Sequence, residues 1–127
     1  MTPKETVESV YEAFSRGDIP HIVGLVAPNA VWRQSKMVPW GGDYQGPSGA
    51  TEFFTKLGAA AETTGFAPRE SVEHGNEVYS FGNYSCTIRS TGKPATMEWM
   101  FRWRVENGQI TLYDAYVDSG VIMAAMS

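Results

Sequence analysis

Residues 77–118 read EVYSFGNYSCTIRSTGKPATMEWMFRWRVENGQITLYDAYVD and decide the fold of this chain. Apolar and polar residues alternate along the stretch with the period of two that half-buried β-strands show. Turn sequences break the alternation at Thr91-Gly92 and Asn107-Gly108, and His74-Gly75-Asn76 precedes it. The pattern therefore predicts four antiparallel strands that follow one another along the chain. They cover roughly residues 66–73, 77–89, 95–105 and 109–118.

The Thr91-Gly92 turn also predicts which face of the central hairpin is buried. With these two residues at the centre of the turn, the cross-strand pairs are Ile88–Ala95, Cys86–Met97 and Tyr84–Trp99. Every member of these pairs is apolar or aromatic, and Phe101 and Trp103 continue the row. The alternate positions are mostly polar, so we expect the aromatic row to face the interior.

The last hairpin can close in two ways, and they place opposite faces of its final strand inward. With a two-residue turn at Asn107-Gly108, the inward residues are Leu112, Asp114, Tyr116 and Asp118. With a three-residue loop that ends in a glycine bulge, they are Tyr113, Ala115 and Val117. The first closure brings two carboxylates inside, whereas the second leaves the interior nearly free of charge. The residues alone leave this choice open.

The N-terminal half has the spacing of helices. The capping box Thr2-Pro3-Lys4-Glu5 predicts the start of a first helix, and Gly17 predicts its end. A second, short helix is expected from about Asp18 until Pro28-Asn29 stops it. Apolar residues at helical spacing predict a third helix over residues 48–62. Helices followed by a run of antiparallel strands indicate an α+β fold.

A short strand and a long loop separate the second and third helices. Residues 30–34 alternate like a strand in which Trp32 and Gln34 point to the same side. Residues 35–47 are too rich in proline and glycine for regular structure, so they predict a long loop. The loop also contains Met37, Val38, Trp40 and Tyr44, and these apolar residues favour a flap over disorder.

Length and composition narrow the function classes. At 127 residues the chain has room for a single domain, residues 1–127. A net charge of −4 argues against a nucleic-acid partner, and no apolar run is long enough to span a membrane. The single cysteine and the N-terminal sequence, which lacks a signal-peptide pattern, predict a cytoplasmic location. Two distant histidines give no metal-ligand spacing, so we expect neither a metal nor a cofactor.

The order of these elements resembles the SnoaL-like branch of the nuclear-transport-factor-like superfamily, and the resemblance covers nearly the whole chain. The phrases that carry it are Gly17-Asp18, Ala30-Val31-Trp32, Trp40-Gly41-Gly42-Asp43-Tyr44-Gln45-Gly46 and Asn107-Gly108-Gln109-Ile110. The resemblance implies a cone-shaped, curved antiparallel sheet with three N-terminal helices packed on its concave face. It also implies dimers that pack sheet against sheet.

The acid and base groups of two enzymes in this superfamily do not match the chain. Ketosteroid isomerase uses an Asp base with an oxyanion hole of Tyr and protonated Asp. By resemblance these three positions fall on Gln34, Val10 and Trp99, and Tyr11 is one position from the second of them. The catalytic Asp of limonene epoxide hydrolase falls on Ala115. The resemblance in the last strand favours the closure with the glycine bulge.

The remaining candidates for chemistry are few, whereas the candidates for a ligand pocket are many. The candidates for an acid or base are Tyr11, Asp43, Asp114 and Asp118. The expected pocket residues are Trp32, Gln34, Trp40, Tyr44, Phe54, Tyr84, Cys86, Met97, Trp99, Tyr113, Ala115 and Val117. Phe101 and Trp103 are expected deeper in the cone, as core. The residues thus predict a protein that holds a small apolar molecule. The resemblance implies polycyclic compounds as ligands and isomerase, cyclase or hydrolase activity, and a protein that binds without catalysis is the alternative.

The outer face of the predicted sheet indicates a homodimer. In the bulged closure its apolar band consists of Phe81, Met100, Ile110, Leu112 and Tyr116. A continuous apolar band on a small domain is typical of an interface, and small oligomers are most often two-fold. A domain whose role is dimerisation rather than ligand binding is a further alternative.

Overall fold

Six strands form one curved, unclosed sheet, and helices cover its concave face. The computed structural model describes every residue, Met1–Ser127. The strands are β1 (Val26–Gln34), β2 (Gly42–Gln45), β3 (Ala61–His74), β4 (Glu77–Ile88), β5 (Pro94–Glu106) and β6 (Gln109–Val117). The helices are α1 (Pro3–Ser15), α2 (Ile19–Gly24), α3 (Gly46–Ala60) and α4 (Ser119–Ala125). The α+β fold predicted from the sequence is confirmed.

The strand order is β2-β1-β6-β5-β4-β3, so the chain's first and last strands are neighbours inside the sheet. All pairs are antiparallel except β1 with β6, which run parallel. The expectation of a purely antiparallel sheet is therefore wrong at this one junction. One continuous core of 31 buried residues lies between the sheet and the helices. None of the helices has the length and apolar character needed to cross a bilayer.

The first helix begins as its capping box predicts. The Thr2 hydroxyl accepts the Glu5 backbone N–H at 3.1 Å, and the Glu5 carboxylate accepts the Thr2 N–H at 2.8 Å. Two backbone donors that the helix leaves unpaired are thus satisfied. The helix ends at Ser15, and Gly17 follows with a φ of 72°, a conformation that favours glycine.

Several predicted boundaries are wrong in the segment between the helices. Helix α2 ends at Gly24, and Pro28-Asn29 lies inside β1 instead of stopping a helix. The pairing of β1 with β6 is irregular between Val26 and Val31, and a strand tolerates proline at such an irregularity. Helix α3 is shifted two residues towards the N-terminus, and β3 starts at Ala61, five residues before the predicted start.

The expected flap is a packed wall. Residues 42–45 form β2, which pairs with β1, so only residues 35–41 remain a loop. Trp40 is 1% exposed, and Val38 is buried beside it in the core. The Tyr44 hydroxyl donates to the carbonyl oxygens of Trp40 and Gly41 at 3.1 and 3.0 Å, which ties the loop to the strand. Three of the apolar residues that favoured a flap over disorder, Val38, Trp40 and Tyr44, are buried, so the segment is not a free flap.

The central hairpin has the predicted inner face but a different register. The observed pairs are Cys86–Ala95, Tyr84–Met97 and Gly82–Trp99, two residues away from the prediction. The hairpin closes through residues 89–93, and the Thr91 hydroxyl donates to the Ala125 carbonyl of α4 at 2.6 Å. A shift of two residues exchanges partners without exchanging faces, so the aromatic row still faces inward.

The last hairpin combines both closures that the sequence left open. Asn107 and Gly108 form a two-residue turn with φ values of 52° and 74°, as a type I′ turn requires. The pairing then shifts between Val105–Ile110 and Arg104–Leu112, so Thr111 is an extra residue in β6. This bulge reverses the faces beyond it, and Tyr113, Ala115 and Val117 pair with inward residues of β5. Asp114 consequently lies on the outer face.

The close approach of Trp99 to the backbone of β4 gives a stability prediction. A Cβ atom on Gly82 would lie 2.4 Å from Trp99 and 2.6 Å from the Ala67 carbonyl oxygen. We expect Gly82→Ala to lower the free energy of unfolding by about 1–3 kcal/mol. The matched control is Gly58→Ala in α3, where a Cβ meets nothing within 4 Å. It should leave stability unchanged or raise it by up to about 1 kcal/mol. Urea unfolding of both variants measures this, and equal effects would contradict the packing argument.

Candidate functional site

The candidate site is a hollow between the concave face of the sheet and helices α1 and α3. Its volume is about 60 Å³, and 15 of its 16 lining residues are hydrophobic. A cavity needs a volume of roughly 10–15 Å³ to hold one ordered water, so the hollow has room for about four to six waters. That space is less than half of the apolar cavity of about 150 Å³ that accommodates benzene. A single aromatic ring therefore fits only with small movements of the lining side chains, and a polycyclic skeleton needs larger ones.

Aromatic rings on neighbouring strands form the wall of the hollow. Trp32 on β1 is paired with Tyr113 on β6, which is paired with Trp103 on β5. The ring centroids of Trp32 and Tyr113 are 4.5 Å apart, and those of Tyr113 and Trp103 are 4.7 Å apart. Because cross-strand partners have Cβ atoms only about 5 Å apart, the register alone brings these rings together. Phe53 and Phe54 of α3 close the wall against Trp32.

Three tyrosines are the titratable side chains that line the hollow, and all hold their protons tightly. Burial raises the pKa of Tyr84 to about 12, and the hydrogen bond with Thr63 opposes part of that rise. Burial also raises the pKa of Tyr11 and of Tyr113 well above the usual value. The Tyr11 hydroxyl accepts the indole N–H of Trp103 at 2.9 Å. At neutral pH these groups are uncharged hydrogen-bond donors.

Two buried indole N–H groups have no partner. They belong to Trp32 and Trp99, which are 1% and 3% exposed. An unpaired buried donor costs about 1–3 kcal/mol, so a nearby hydrogen-bond acceptor would be stabilising. Besides the aromatic residues with polar groups, Gln34 is a polar residue that lines the hollow. Its Oε1 accepts the Ser35 backbone N–H at 3.1 Å. Its side-chain amide remains as a neutral donor at the end of β1.

The structure brings many of the expected pocket residues together, but not all of them. Those that line the hollow are Trp32, Gln34, Trp40, Phe54, Tyr84, Met97 and Tyr113. Tyr44, Cys86 and Trp99 do not line it, because they are packed in the core around it. Ala115 and Val117 also lie outside the hollow and line a polar groove where β1 leaves β6. Burial raises the pKa of the Cys86 thiol, which disfavours the reactive thiolate.

Several lining residues were expected only as core. Phe101 and Trp103 line the hollow, contrary to the expectation that they lie deeper. The helices contribute Val10, Phe14, Ile22, Phe53 and Leu57, and β3 contributes Phe66. Their helical or strand periodicity was visible in the sequence. Periodicity marks the inner side of an element, however, and does not distinguish a residue beside a void from one in tight packing.

The candidate acid and base groups separate into one inside the hollow and three outside. Tyr11 lines the hollow. Asp43 on β2 forms exposed ion pairs with Arg33 and Lys36 at 3.4 and 3.6 Å. Asp114 is buried on the outer face and accepts the Tyr116 hydroxyl at 3.0 Å.

Asp118 is the residue that precedes α4. None of the three carboxylates lines the hollow. No three side chains of His, Cys, Asp or Glu are grouped as a metal site would require.

Comparison with known proteins identifies the family. The model of the SnoaL-like domain matches residues 7–113. The chain belongs to the SnoaL-like domain family. This match covers the hollow, β1 and most of the sheet, and it confirms the resemblance on which the sequence analysis relied. A search of the curated proteins gives no match.

Solved structures of similar chains have the same fold over their whole length. An NTF2-like protein from Burkholderia thailandensis has 28% identity and a TM-score of 0.94, with 100% of this chain and 98% of that chain covered. An NTF2-like protein of unknown function from Burkholderia pseudomallei has 26% identity and a TM-score of 0.90, with coverages of 100% and 99%. TerC, co-crystallised with polyporic acid, has 23% identity and a TM-score of 0.86, with coverages of 98% and 97%.

The raised pKa of Tyr84 predicts how stability depends on alkaline pH. Tyrosine in the unfolded chain ionises near pH 10, whereas folded Tyr84 keeps its proton up to about pH 12. The stabilisation is therefore complete below pH 10 and is lost as pH rises through this window. Its slope is about 1.4 kcal/mol per pH unit.

We expect Tyr84→Phe to cost about 1 kcal/mol at pH 7, because Thr63 loses its partner. Between pH 10 and 11.5 the variant should lose stability less steeply than the parent. Urea unfolding across this range measures both slopes, and parallel curves would contradict the assignment.

Proposed function

We propose that this SnoaL-like protein binds a small, largely apolar molecule in the hollow. The observation that carries the proposal is a void of about 60 Å³ whose wall is almost entirely aromatic and apolar. An aromatic wall with a few polar groups is typical of small-molecule sites. The co-crystallisation of TerC with polyporic acid supports the proposal, because that protein combines a similar fold with a small organic molecule.

The size and polarity of the hollow define the ligand class. One aromatic ring would enter it with small movements of half-buried rings such as Phe54 and Phe66, and larger ligands would require larger movements. The polar groups at its wall are hydroxyls and an amide that donate hydrogen bonds at neutral pH. A carbonyl or hydroxyl oxygen on the ring would accept hydrogen bonds from these groups. Such hydrogen bonds are stronger in a site without water than in solution. We therefore infer a one-ring ligand with an oxygen acceptor.

The same groups favour binding over acid–base catalysis. An isomerase, cyclase or hydrolase of the expected kinds transfers a proton through a group whose pKa lies near the working pH. The tyrosines of the hollow have pKa values far above neutrality, and the carboxylates of Asp43, Asp114 and Asp118 lie outside it. We propose a ligand-binding protein as the leading function. Tyr11 is the group that would donate to a substrate if the protein is an enzyme.

We also propose that the chain forms a homodimer through the convex face of the sheet. Phe81, Met100 and Tyr116 lie directly beside one another on β4, β5 and β6. Phe81 and Tyr116 are 37% and 54% exposed, so the row is accessible to a partner. Ile110, which the sequence analysis placed in this band, is fully buried because it precedes the bulge at Thr111.

The charged side chains beside the apolar row are paired with one another, so the convex face can be buried in a dimer interface. Arg102 and Arg104 both donate to Glu77 at 2.9 Å, and the pKa of Glu77 falls to about 2, chiefly through the hydrogen bond from Arg102. Ion pairs formed within one chain carry less desolvation cost into an interface than isolated charges do. The absence of a nucleic-acid partner and the cytoplasmic location stay predictions from composition.

The binding proposal predicts weak but specific affinity for a neutral one-ring compound. We expect 3-phenylpropanamide to bind with a Kd on the order of 1 mM, measured by calorimetry and tryptophan fluorescence. Val10→Phe puts a ring into the hollow and should weaken binding about tenfold or more. The control Val72→Phe makes the same change on an exposed position of β3 and should bind like the parent. Equal binding by both variants would place the ligand elsewhere.

The dimer proposal predicts that one charge on the convex face changes the molecular mass in solution. We expect light scattering to give twice the mass of the 14.0 kDa chain for the parent protein. Phe81→Glu should shift the mass to that of a monomer without changing the circular dichroism spectrum. Met123→Glu is the control, because Met123 is similarly exposed on α4. A monomeric parent at high protein concentration would refute the dimer.

A further inference from the structure

The sheet contains a slot at the place where β1 separates from β6. Parallel pairing ends at Arg33–Asp114, whereas β6 continues to Val117 with a partner only on its β5 side. The opening that results is a polar groove of about 610 Å³. A strand without a neighbour presents unpaired backbone groups, so this part of the sheet can accept a polar molecule.

The slot and the hollow lie next to each other and share one lining residue, Gln34. Residues from both faces of the sheet line the slot, since Ala115 and Val117 point inward whereas Arg33 and Asp114 point outward. Because the buried Gln34 lines both spaces, a molecule that extends from one into the other has to pass its side chain. Because Oε1 of Gln34 already accepts the Ser35 N–H, its amide nitrogen is left to donate to a molecule that passes it.

Four charged side chains face the slot, and the accessible ones favour an anion. Lys36 and Arg33 have side chains that are 76% and 54% exposed, and both pair with the exposed carboxylate of Asp43. Asp114, in contrast, is nearly buried, accepts the Tyr116 hydroxyl and lies 3.9 Å from Arg33. Two cations are therefore accessible against one carboxylate. Their exposed, long ion pairs contribute little stability and can be exchanged for pairs with a ligand.

We propose that the slot holds the carboxylate of the ligand whose ring occupies the hollow, an inference that rests on the proposed function. The ligand class is then a one-ring aromatic acid with a short tail. Its ring lies among the aromatic residues of the hollow, its tail passes Gln34, and its carboxylate lies between Arg33 and Lys36. The apolar wall inside and the cations outside match the two ends of such a molecule.

A matched pair of probes tests the anionic end without changing the apolar one. The carboxylate 3-phenylpropanoate and the neutral 3-phenylpropanamide have the same ring and tail. We expect the carboxylate to bind about three- to tenfold more tightly at low salt, the range that exposed charge pairs allow, and the advantage to shrink as salt is added. Calorimetry with both probes measures the ratio of the two Kd values.

Charge variants assign the advantage to the slot. Lys36→Gln should lower the ratio of the Kd of the amide to the Kd of the carboxylate towards one. The Kd of the amide itself should stay unchanged. The control Lys4→Gln makes the same change in net charge on α1, away from the slot, and should keep the ratio of the parent. An equal loss in both variants would show that overall charge, and not the slot, selects the anion, and would overturn the inference.

The probes also separate this inference from the proposed function. If the amide binds and the carboxylate gains nothing, the slot does not hold an anion, whereas the hollow remains a binding site. If neither probe binds to the folded parent protein, the proposed function fails and the inference fails with it. Tighter binding of the carboxylate that Lys36→Gln abolishes and Lys4→Gln retains supports both.

Discussion

The extra residue in β6 determines the chemistry of the interior. Thr111 forms a bulge just after the tight turn at Asn107, and every side chain beyond it changes face. With the bulge, Tyr113 completes the aromatic wall beside Trp32 and Trp103. Without it, Asp114 would enter the same space, and a carboxylate in an aromatic wall would need a cation or a proton to compensate it. One inserted residue thus decides between a charged and an uncharged interior.

The two faces of the sheet divide polar chemistry between them as a result. The concave face holds uncharged hydrogen-bond donors, such as Tyr11, in surroundings where burial keeps them protonated. The convex face holds the ion pairs, in which Glu77 binds two arginines. A neutral interior favours ligands recognised by shape and hydrogen bonds, and it provides no strong base for proton abstraction. Gln34 lines both the uncharged hollow and the slot, where four charged side chains lie.

Membership in the SnoaL-like family determines the fold, whereas the activity depends on individual side chains of the site. Structures with 23–28% identity share the fold over almost the whole chain. At this level of identity a cone of the same shape holds different residues at the same depth, so activity has to be argued from the site. In this chain the position of Gln34, which the resemblance matches to the Asp base of ketosteroid isomerase, carries an amide. An amide can orient a ligand but cannot take its proton.

The sequence by itself determined the class of fold, the first helix and the aromatic inner face, because these depend on local spacing and capping. Period-two alternation survives a shift of two residues, so the inner face was correct although the Tyr84–Trp99 pair was wrong. Only the tertiary structure decided the bulge at Thr111, the packed position of Trp40 and the slot between β1 and β6. Each of these depends on contacts between residues distant in the chain: the Leu25 carbonyl accepts the Ile110 N–H beside the bulge, β1 pairs with β2, and parallel pairing ends at Arg33. Local sequence patterns do not predict such contacts, because the partners are far apart in the chain.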